Sequence, residues 1–281
     1  MPKKIDSITF KKRNIGIWNE IASRYHKRWA GTKKGPFQSS KELLKIVKIK
    51  KGSKILDLGC GTGIVINDLL PKVGTSGIVV GLDSSLEAIK IANKLNRKKN
   101  VGFVISDAET VYFEEKFDLI TCQYALFFFP NALKVLRNIR EFMQDGATLA
   151  VTVHGEKRNV PYFGIISDAI SQFIPDYIPL GTPNLDRFGT KKALVHVADK
   201  AGFNKIKVKE YNFEFSPGTL EDYWGNYLRY VAKPLREKLF TLSAKQRREI
   251  KNSIGESVVP FTKKEKITFP WQVLTLTAKN N

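Results

Sequence analysis

The sequence predicts an α/β fold with a mostly parallel sheet that is covered by helices on both faces. Between residues 53 and 154, near-continuous apolar segments alternate with amphipathic segments of helical periodicity. Apolar strands of this kind are typical of a sheet that is buried on both sides. The first strand ends at a loop with glycine at every second position, residues 59–63. A strand, a glycine-rich turn and a helix start in this order form a nucleotide-shaped site.

Seven strands are expected along the chain, and helices between and around them. The strands are expected at residues 53–58, 77–83, 101–106, 117–123, 147–154, 204–214 and 267–277. The helices are expected at residues 9–30, 39–49, 63–70, 84–96, 131–143, 165–174, 190–201 and 218–255. Gly31 is expected to end the first helix, and Pro71 to stop the helix after the glycine loop. Ser84 and Glu87 have the spacing of a capping box.

The composition indicates a globular chain with a strongly basic surface. At 281 residues and 42% apolar content, we expect one large domain, or one domain with a sizeable insertion. The net charge is +20, and residues 1–54 hold sixteen Lys and Arg against three acids. Such a region attracts phosphates or anionic lipid headgroups, although a solvated basic surface without a partner is the favoured explanation. We see no apolar run of bilayer length and no signal-peptide pattern, and therefore expect a cytoplasmic protein.

The cysteines and histidines do not suggest a metal site. Cys60 and Cys122 each lie within a motif of the predicted sheet, which does not indicate a disulfide framework or a metal cluster. The three histidines are scattered and lack the spacing of zinc ligands.

The glycine loop suits a ligand other than a dinucleotide. Its glycines allow close approach of the backbone, and the helix start is expected to offer free N–H groups. Ile64 stands where a dinucleotide fingerprint has glycine or alanine, and no Gly-Lys-Ser/Thr follows. Asp57 directly precedes the loop, where its carboxylate would repel a pyrophosphate but suit a cationic amino group.

Two further acidic positions follow at the ends of the next strands. Asp83 ends the second strand, where a carboxylate can accept hydrogen bonds from both ribose hydroxyls of an adenosine. Asp107 follows the third strand, where a side-chain oxygen can accept a hydrogen bond from the adenine amino group. Together these features describe an adenosine that carries an amino acid instead of phosphates, which is S-adenosylmethionine.

The same motifs resemble those of a known family. Residues 55–63 (ILDLGCGTG) resemble motif I of the class I S-adenosylmethionine-dependent methyltransferases, 81–83 their motif II and 106–108 their motif III. Residues 117–123 with 127–130 resemble motif IV of the type 11 group, which is ubiquinone/menaquinone methyltransferase-like. The chain departs from that group at residues 144–146, where Gln-Asp-Gly replaces the usual Pro-Gly-Gly.

The resemblance implies a Rossmann-like sheet of seven strands with the last strand antiparallel, together with helical lid insertions. It divides the chain into an N-terminal helical lid (1–50), a cofactor-binding core (51–216 and 266–281) and a helical insertion (217–265). The cofactor-binding residues that it implies are Tyr25, Asp57, Gly59, Cys60, Gly61, Thr62, Gly63, Asp83, Ser84, Asp107, Ala108 and Gln123.

The chemistry of methyl transfer does not require a dedicated catalytic residue, because the sulfonium is already an activated donor. His154, at the end of the fifth strand, is the candidate base, since an unperturbed imidazole suits proton removal near neutrality. A polar strand-end histidine without a role is the alternative. After the fourth strand stands the apolar run 125–129, which favours a small hydrophobic acceptor such as a quinone, isoprenoid, lipid or aromatic metabolite.

Two alternatives remain open from the sequence. The net charge is compatible with an RNA methyltransferase, although no added RNA-binding module is recognisable. A non-catalytic protein of the same fold that binds nucleic acid or anionic membrane is the second alternative. In either enzyme hypothesis, the basic N-terminal region is expected to have at most a weak attraction for anionic membrane or RNA.

Overall fold

A computed structural model describes residues 6–32, 35–178 and 182–280 of this chain. Residues 1–5 and 33–34, which belong to the basic N-terminal region, lie outside the described residues. Within the described ranges, no helix has both the length and the apolar character needed to cross a bilayer.

The chain alternates between strands and helices as far as β5, and the remaining helices lie around the last strands. The strands are β1 (Lys54–Leu58), β2 (Ile78–Asp83), β3 (Val101–Ile105), β4 (Phe117–Gln123), β5 (Met143–His154), β6 (Asn204–Gly218), β7 (Thr262–Lys263) and β8 (Lys266–Lys279). The helices are α1 (Ser7–Tyr25), α2 (Ser40–Ile46), α3 (Ile64–Val73), α4 (Leu86–Leu95), α5 (Ala132–Arg140), α6 (Pro161–Ser171), α7 (Lys191–Lys200), α8 (Leu220–Tyr230), α9 (Lys233–Phe240) and α10 (Ala244–Val258).

The strands form one sheet in the order β3-β2-β1-β4-β5-β8-β6. The β1–β2, β1–β4, β2–β3 and β4–β5 pairs are parallel, and β8 lies antiparallel between β5 and β6. The expected Rossmann-like sheet with an antiparallel last strand is therefore confirmed. The sequence did not predict the two-residue strand β7, which pairs with β8. The strand order changes direction between β1 and β4, and ligands bind at such a switch point.

Helices cover both faces of the sheet because successive residues of the buried strands point to opposite sides. Ile55 and Leu56 are neighbours in β1, and each is fully buried in a different apolar cluster. Ile55 packs with residues of α3 such as Ile66, whereas Leu56 packs with residues of α5 such as Leu136.

Several predicted helix ends differ from the structure. The first helix continues through a π-helical turn, His26–Ala30, and ends at Gly31 as expected. Pro71 does not stop α3, because Val73 beyond it is buried against the sheet and keeps the last turn in place. The cap of α4 is Ser85, whose hydroxyl accepts the Ala88 N–H at 3.2 Å, so the Ser84 capping box does not form.

Further differences concern the C-terminal half. The predicted helix at 218–255 is three helices, α8 to α10, with extended residues after α8 and a new serine cap at Ser243. β5 begins at Met143, four residues before the expected start. The apolar pattern did not reveal this start, because the three residues that follow Met143 are exposed.

Candidate active site

The glycine loop between β1 and α3 is held by hydrogen bonds to β2. The N–H groups of Gly59 and Cys60 both donate to the Leu82 carbonyl, at 2.8 and 3.0 Å. The Gly61 N–H donates to Oδ2 of Asp83 at 2.8 Å. The expectation of free N–H groups concerned the helix start, and these three loop amides precede it. Amides that are used in this way are not available to a pyrophosphate, which agrees with the argument from the sequence.

Asp83 connects the end of β2 to the loop. Its Oδ1 accepts the Ser85 N–H at 2.9 Å, and its Oδ2 accepts the Gly61 N–H at 2.8 Å. Burial raises the pKa of this carboxyl, and the backbone hydrogen bonds lower it. Each carboxylate oxygen has a second lone pair, so Asp83 can also accept hydroxyl groups from a ligand.

Asp57, the acid before the loop, has one carboxylate oxygen without a partner. Its Oδ1 accepts the Thr121 hydroxyl at 2.7 Å. Its Oδ2 is buried and has no hydrogen-bond partner in the described part of the chain. Burial raises the pKa of Asp57 to about 7 against the lowering effect of the Thr121 hydrogen bond. A buried acceptor left unpaired is costly, and a cationic amino group is the kind of donor that it fits.

The end of β4 carries a second incompletely paired polar group. Oε1 of Gln123 accepts the Ser40 hydroxyl at 2.8 Å, and its buried Nε2 has no partner among the described residues. The next residue, Tyr124, has a φ of +55°, a left-handed backbone conformation that residues other than glycine rarely adopt. Its hydroxyl lies 2.6 Å from that of Ser39, and its N–H donates to the Thr152 carbonyl at 2.8 Å. These contacts hold the strained residue in place.

One cavity at the carboxyl ends of β1, β2 and β4 brings most of the predicted residues together. Those that line it are Tyr25, Asp57, Gly59, Cys60, Gly61, Thr62, Asp83, Ser84, Asp107, Ala108 and Gln123. Gly63 is not among its lining residues. A Cβ on Gly63 would lie 2.9 Å from Nδ2 of Asn96 and 3.2 Å from Cβ of Ala92. Glycine at this position therefore permits the close packing of α3 on α4.

Helix α1 covers one side of this cavity. The Lys11 ammonium lies 2.7 Å from Asp107 and 2.8 Å from Glu109. Nearer the end of α1, Oδ1 of Asn19 accepts the Ser85 hydroxyl at 2.8 Å. The acid that the sequence assigned to an adenine amino group therefore has a lysine partner in this structure.

The two side chains of the glycine loop differ in their surroundings. Burial raises the pKa of the Cys60 thiol well above its usual value, and the charges of Asp83 and Asp57 add to the effect. Cys60 is therefore a neutral thiol that packs against the sheet. The Thr62 hydroxyl lies 2.8 Å from Nδ1 of His26, which ties the loop to the π-helical turn after α1.

His154, the candidate base, lies in an aromatic cluster. Nε1–H of Trp271 donates to Nδ1 of His154 at 3.3 Å. The imidazole centroid is 4.5 Å from that of Tyr124 and 5.2 Å from that of Phe163. Burial lowers the pKa of His154 to about 3, so the imidazole is a weak base near neutrality. The expectation of an ordinary pKa is wrong, and the geometry gives no support to the role as a base.

The aromatic cluster continues from Trp271 towards α1 and α6. Trp271 is fully buried in β8. Its ring contacts those of Trp29, Tyr162, Phe163, Phe213 and Phe215, with centroid separations between 5.2 and 6.3 Å. Because His154 contacts both Trp271 and the cavity residue Tyr124, the cluster reaches the wall of the cavity.

Sequence reasoning missed four residues that contact the predicted site: Lys11, Asn19, Ser40 and Thr121. For Thr121 a signal existed, because the pairing of β1 with β4 places it directly beside Asp57. Lys11 is 96 residues from Asp107, and Ser40 is 83 residues from Gln123. No local pattern relates residues that are so far apart along the chain.

Comparison with known proteins identifies a family and relatives of this chain. The family described as "Methyltransferase domain" matches residues 49–180. The demethylmenaquinone methyltransferase of Staphylococcus haemolyticus is 28% identical over 207 residues, which cover 69% of this chain and 82% of that protein. The ubiquinone biosynthesis O-methyltransferase of Actinobacillus pleuropneumoniae is 27% identical over 184 residues, which cover 62% and 74%. This chain belongs to the class I S-adenosylmethionine-dependent methyltransferases. The two relatives are named for methylation in menaquinone and ubiquinone synthesis.

Solved structures share the fold of this methyltransferase at low sequence identity. The YcgJ protein from Bacillus subtilis is 16% identical with a TM-score of 0.58, covering 87% of this chain and 98% of its own. Phosphoethanolamine N-methyltransferase 2 from Haemonchus contortus, also 16% identical, has a TM-score of 0.58 over 99% of this chain and 61% of its own. At such identities the likeness concerns the fold alone.

Proposed function

We propose that this methyltransferase transfers a methyl group from S-adenosylmethionine to a small hydrophobic acceptor. The unpaired, buried Oδ2 of Asp57 at the carboxyl end of β1 is the observation that carries the proposal. An acidic oxygen that lacks a donor fits the cationic amino group of an amino acid and disfavours a phosphate.

Different residues of the cavity would hold different parts of the cofactor. Asp57 would hold the amino group, Asp83 the ribose hydroxyls, and Asp107 with Ala108 the adenine. The glycine loop with Ser84, Tyr25 and Gln123 would complete the wall. When bound, S-adenosylmethionine supplies an activated methyl group on a sulfonium. The protein's own contribution is then to align the acceptor and to exclude water.

The apolar part of the cavity wall supports a hydrophobic acceptor. The aromatic lining residues are Trp18, Tyr25, Phe37, Tyr124, Phe128 and Phe129. Aromatic walls with a few polar groups are typical of pockets for small apolar molecules. The names of the relatives refer to menaquinone and ubiquinone, so quinols are the first acceptors to examine, followed by isoprenoids, lipids and aromatic metabolites.

The test combines cofactor binding with an acceptor screen. Calorimetry with S-adenosylhomocysteine is expected to show binding to the purified protein. With donor labelled in its methyl group, we expect label in an extracted quinol, fatty acid or polyprenol and none in total tRNA. Label in tRNA alone would favour the RNA methyltransferase, and absence of cofactor binding would contradict both enzyme hypotheses.

A further inference from the structure

Arg28 is half-buried, and one edge of its guanidinium group has no partner among the described residues. It lies in the π-helical turn His26–Ala30 that continues α1. Its Nε and Nη2 atoms are buried, and neither has a hydrogen-bond partner in the part of the chain that the structure describes. Leaving buried donors of a charged group unpaired is unfavourable, so such an edge calls for an explanation.

Three aromatic residues, Trp29, Tyr162 and Tyr230, surround the guanidinium group of Arg28. The guanidinium carbon lies 5.0 Å from the ring centroid of Trp29 and 5.6 Å from that of Tyr230. Burial raises the pKa of Tyr162, and the charge of Arg28 together with a side-chain hydrogen bond to Arg28 lowers it. These contacts stabilise the cation. They leave Nε and Nη2 without a hydrogen-bond acceptor among the described residues.

The carboxylate of Asp222 is already used elsewhere. Its pKa is lowered first by hydrogen bonds with Thr219 and only weakly by the charge of Arg28. Oδ2 of Asp222 accepts the Thr219 N–H at 2.9 Å and its hydroxyl at 3.0 Å, which caps α8. This acid therefore does not occupy the free edge of Arg28.

The two unpaired nitrogens share one edge of a planar group. On that edge, Nε and Nη2 present parallel N–H bonds that match the two oxygens of a carboxylate. The unpaired donors are thus a fork with the geometry for bidentate recognition of an oxyanion.

Arg28 also lies close to the place where an acceptor would bind. Tyr25, three residues earlier on the helix, lines the cavity. Trp29, the next residue, contacts Tyr162 at 5.6 Å and Trp271 at 6.2 Å between ring centroids. The aromatic cluster therefore extends from the wall of the cavity to the guanidinium of Arg28.

We propose that Arg28 binds the acid group of an acidic, otherwise apolar methyl acceptor, with the carboxylate on its Nε–Nη2 edge. This inference rests on the proposed function and narrows its substrate class. The apolar body of the acceptor would extend from Arg28 along the aromatic cluster towards the cavity. Because the edge is shielded from solvent, the rings around the guanidinium must move apart to admit the acid. A phosphate monoester presents a similar pair of oxygens, so the test separates the two acids.

The test uses three matched probes on the full chain saturated with S-adenosylhomocysteine: 2-naphthoate, 2-naphthyl phosphate and the uncharged 2-naphthamide. Calorimetry on the wild type is expected to show 2-naphthoate as the tightest of the three. Arg28→Met is expected to weaken the binding of 2-naphthoate by about 10- to 100-fold and to leave the binding of 2-naphthamide unchanged. Arg28→Lys keeps the positive charge but lacks the pair of parallel N–H donors. Its affinity for 2-naphthoate is expected to lie between those of the wild type and Arg28→Met. Arg24→Met, on the same helix with a guanidinium paired to Glu20 at 2.7 Å, is the matched control.

The outcomes separate this inference from the proposed function. If 2-naphthoate binds the wild type no better than 2-naphthamide, or if Arg28→Met weakens both probes equally, Arg28 has only a structural role and the inference is overturned. Preference for 2-naphthyl phosphate overturns the assignment to a carboxylate. Failure of S-adenosylhomocysteine to bind the wild type would instead contradict the proposed function, because cofactor binding is measured before any probe is added.

Discussion

The ammonium of Lys11 in α1 lies 2.7 Å from Oδ2 of Asp107, just beyond the end of β3. A second contact of the same ammonium, 2.8 Å from Glu109, strengthens this attachment. The first helix is therefore tied to the sheet at the point where the cavity begins. The position of α1 over the cavity therefore depends on ion pairs as well as on apolar packing.

Lys11→Met is expected to loosen α1 without unfolding the sheet. Partly buried ion pairs of this kind contribute about 1 kcal/mol, so hydrogen exchange in residues 7–25 should quicken by about fivefold. Exchange in β1 and β4 should stay the same. Lys45→Met removes an exposed pair with Glu42 in α2 and serves as the control. Unchanged exchange in α1 would show that the ion pairs do not hold the helix.

Cofactor binding is expected to depend on the ionisation of Asp57. Its pKa of about 7 means that much of the population is protonated near neutrality and must lose a proton before it can attract a cation. The affinity for S-adenosylhomocysteine should therefore fall as the pH falls, by about eightfold from about pH 7.5 to about pH 6. Calorimetry at both pH values measures this change.

Asp57→Asn is the matched variant for that experiment. An amide keeps an acceptor for the Thr121 hydroxyl but cannot ionise. Its affinity should be lower than that of the wild type above pH 7 and nearly independent of pH. A pH dependence that survives in Asp57→Asn would mean that another group is responsible.

Asp83→Asn is expected to weaken the binding of S-adenosylhomocysteine by about 10- to 100-fold. The substitution removes a charged acceptor and, in one orientation of the amide, places its NH₂ against the Gly61 N–H, which disturbs the loop. Asp118→Asn is the control, because Asp118 accepts the Lys54 N–H at 2.8 Å at the start of the first strand. Equal losses in both variants would indicate a general loss of stability rather than loss of a ligand contact.

His154 is expected to remain neutral at every pH at which the enzyme would work. With a pKa of about 3, its ring signals in nuclear magnetic resonance should not shift between about pH 8 and about pH 5. His154→Phe identifies the signals, and His196, which is exposed on α7, provides a reference in the same spectrum. A midpoint between pH 6 and pH 7 for His154 would restore its candidacy as a base.

The sheet and the glycine loop could be predicted from the sequence because their signals are local. Apolar runs and glycine spacing mark β1, β2 and β4, and the acids at 57 and 83 occupy strand ends that any such fold presents to a ligand. The helix ends were less predictable. Pro71 did not end α3, because burial of Val73 against the sheet outweighs the local penalty of a proline.

The charge states and contacts of the site were not predictable from local pattern. His154 was expected at the end of its strand and is there, but its pKa is set by burial among rings, including that of Trp271, which is 117 residues away. The sequence also did not reveal that the Leu82 carbonyl and Asp83 of the neighbouring strand accept the loop amides. Each of these differences arises from a contact between distant parts of the chain.

The antiparallel placement of β8 has a consequence for how this enzyme can change. Gly218 at the end of β6 pairs with Ile267 near the start of β8, so the intervening segment leaves and re-enters the sheet at adjacent points. The three helices α8 to α10 could therefore vary together with α6, on which they pack, without altering the spacing of Asp57 and Asp83. Tyr230, which packs on Arg28, would travel with them. If Arg28 binds the acceptor as proposed, a change of this segment would alter acceptor preference through Tyr230 and would leave Asp57 and Asp83 in place.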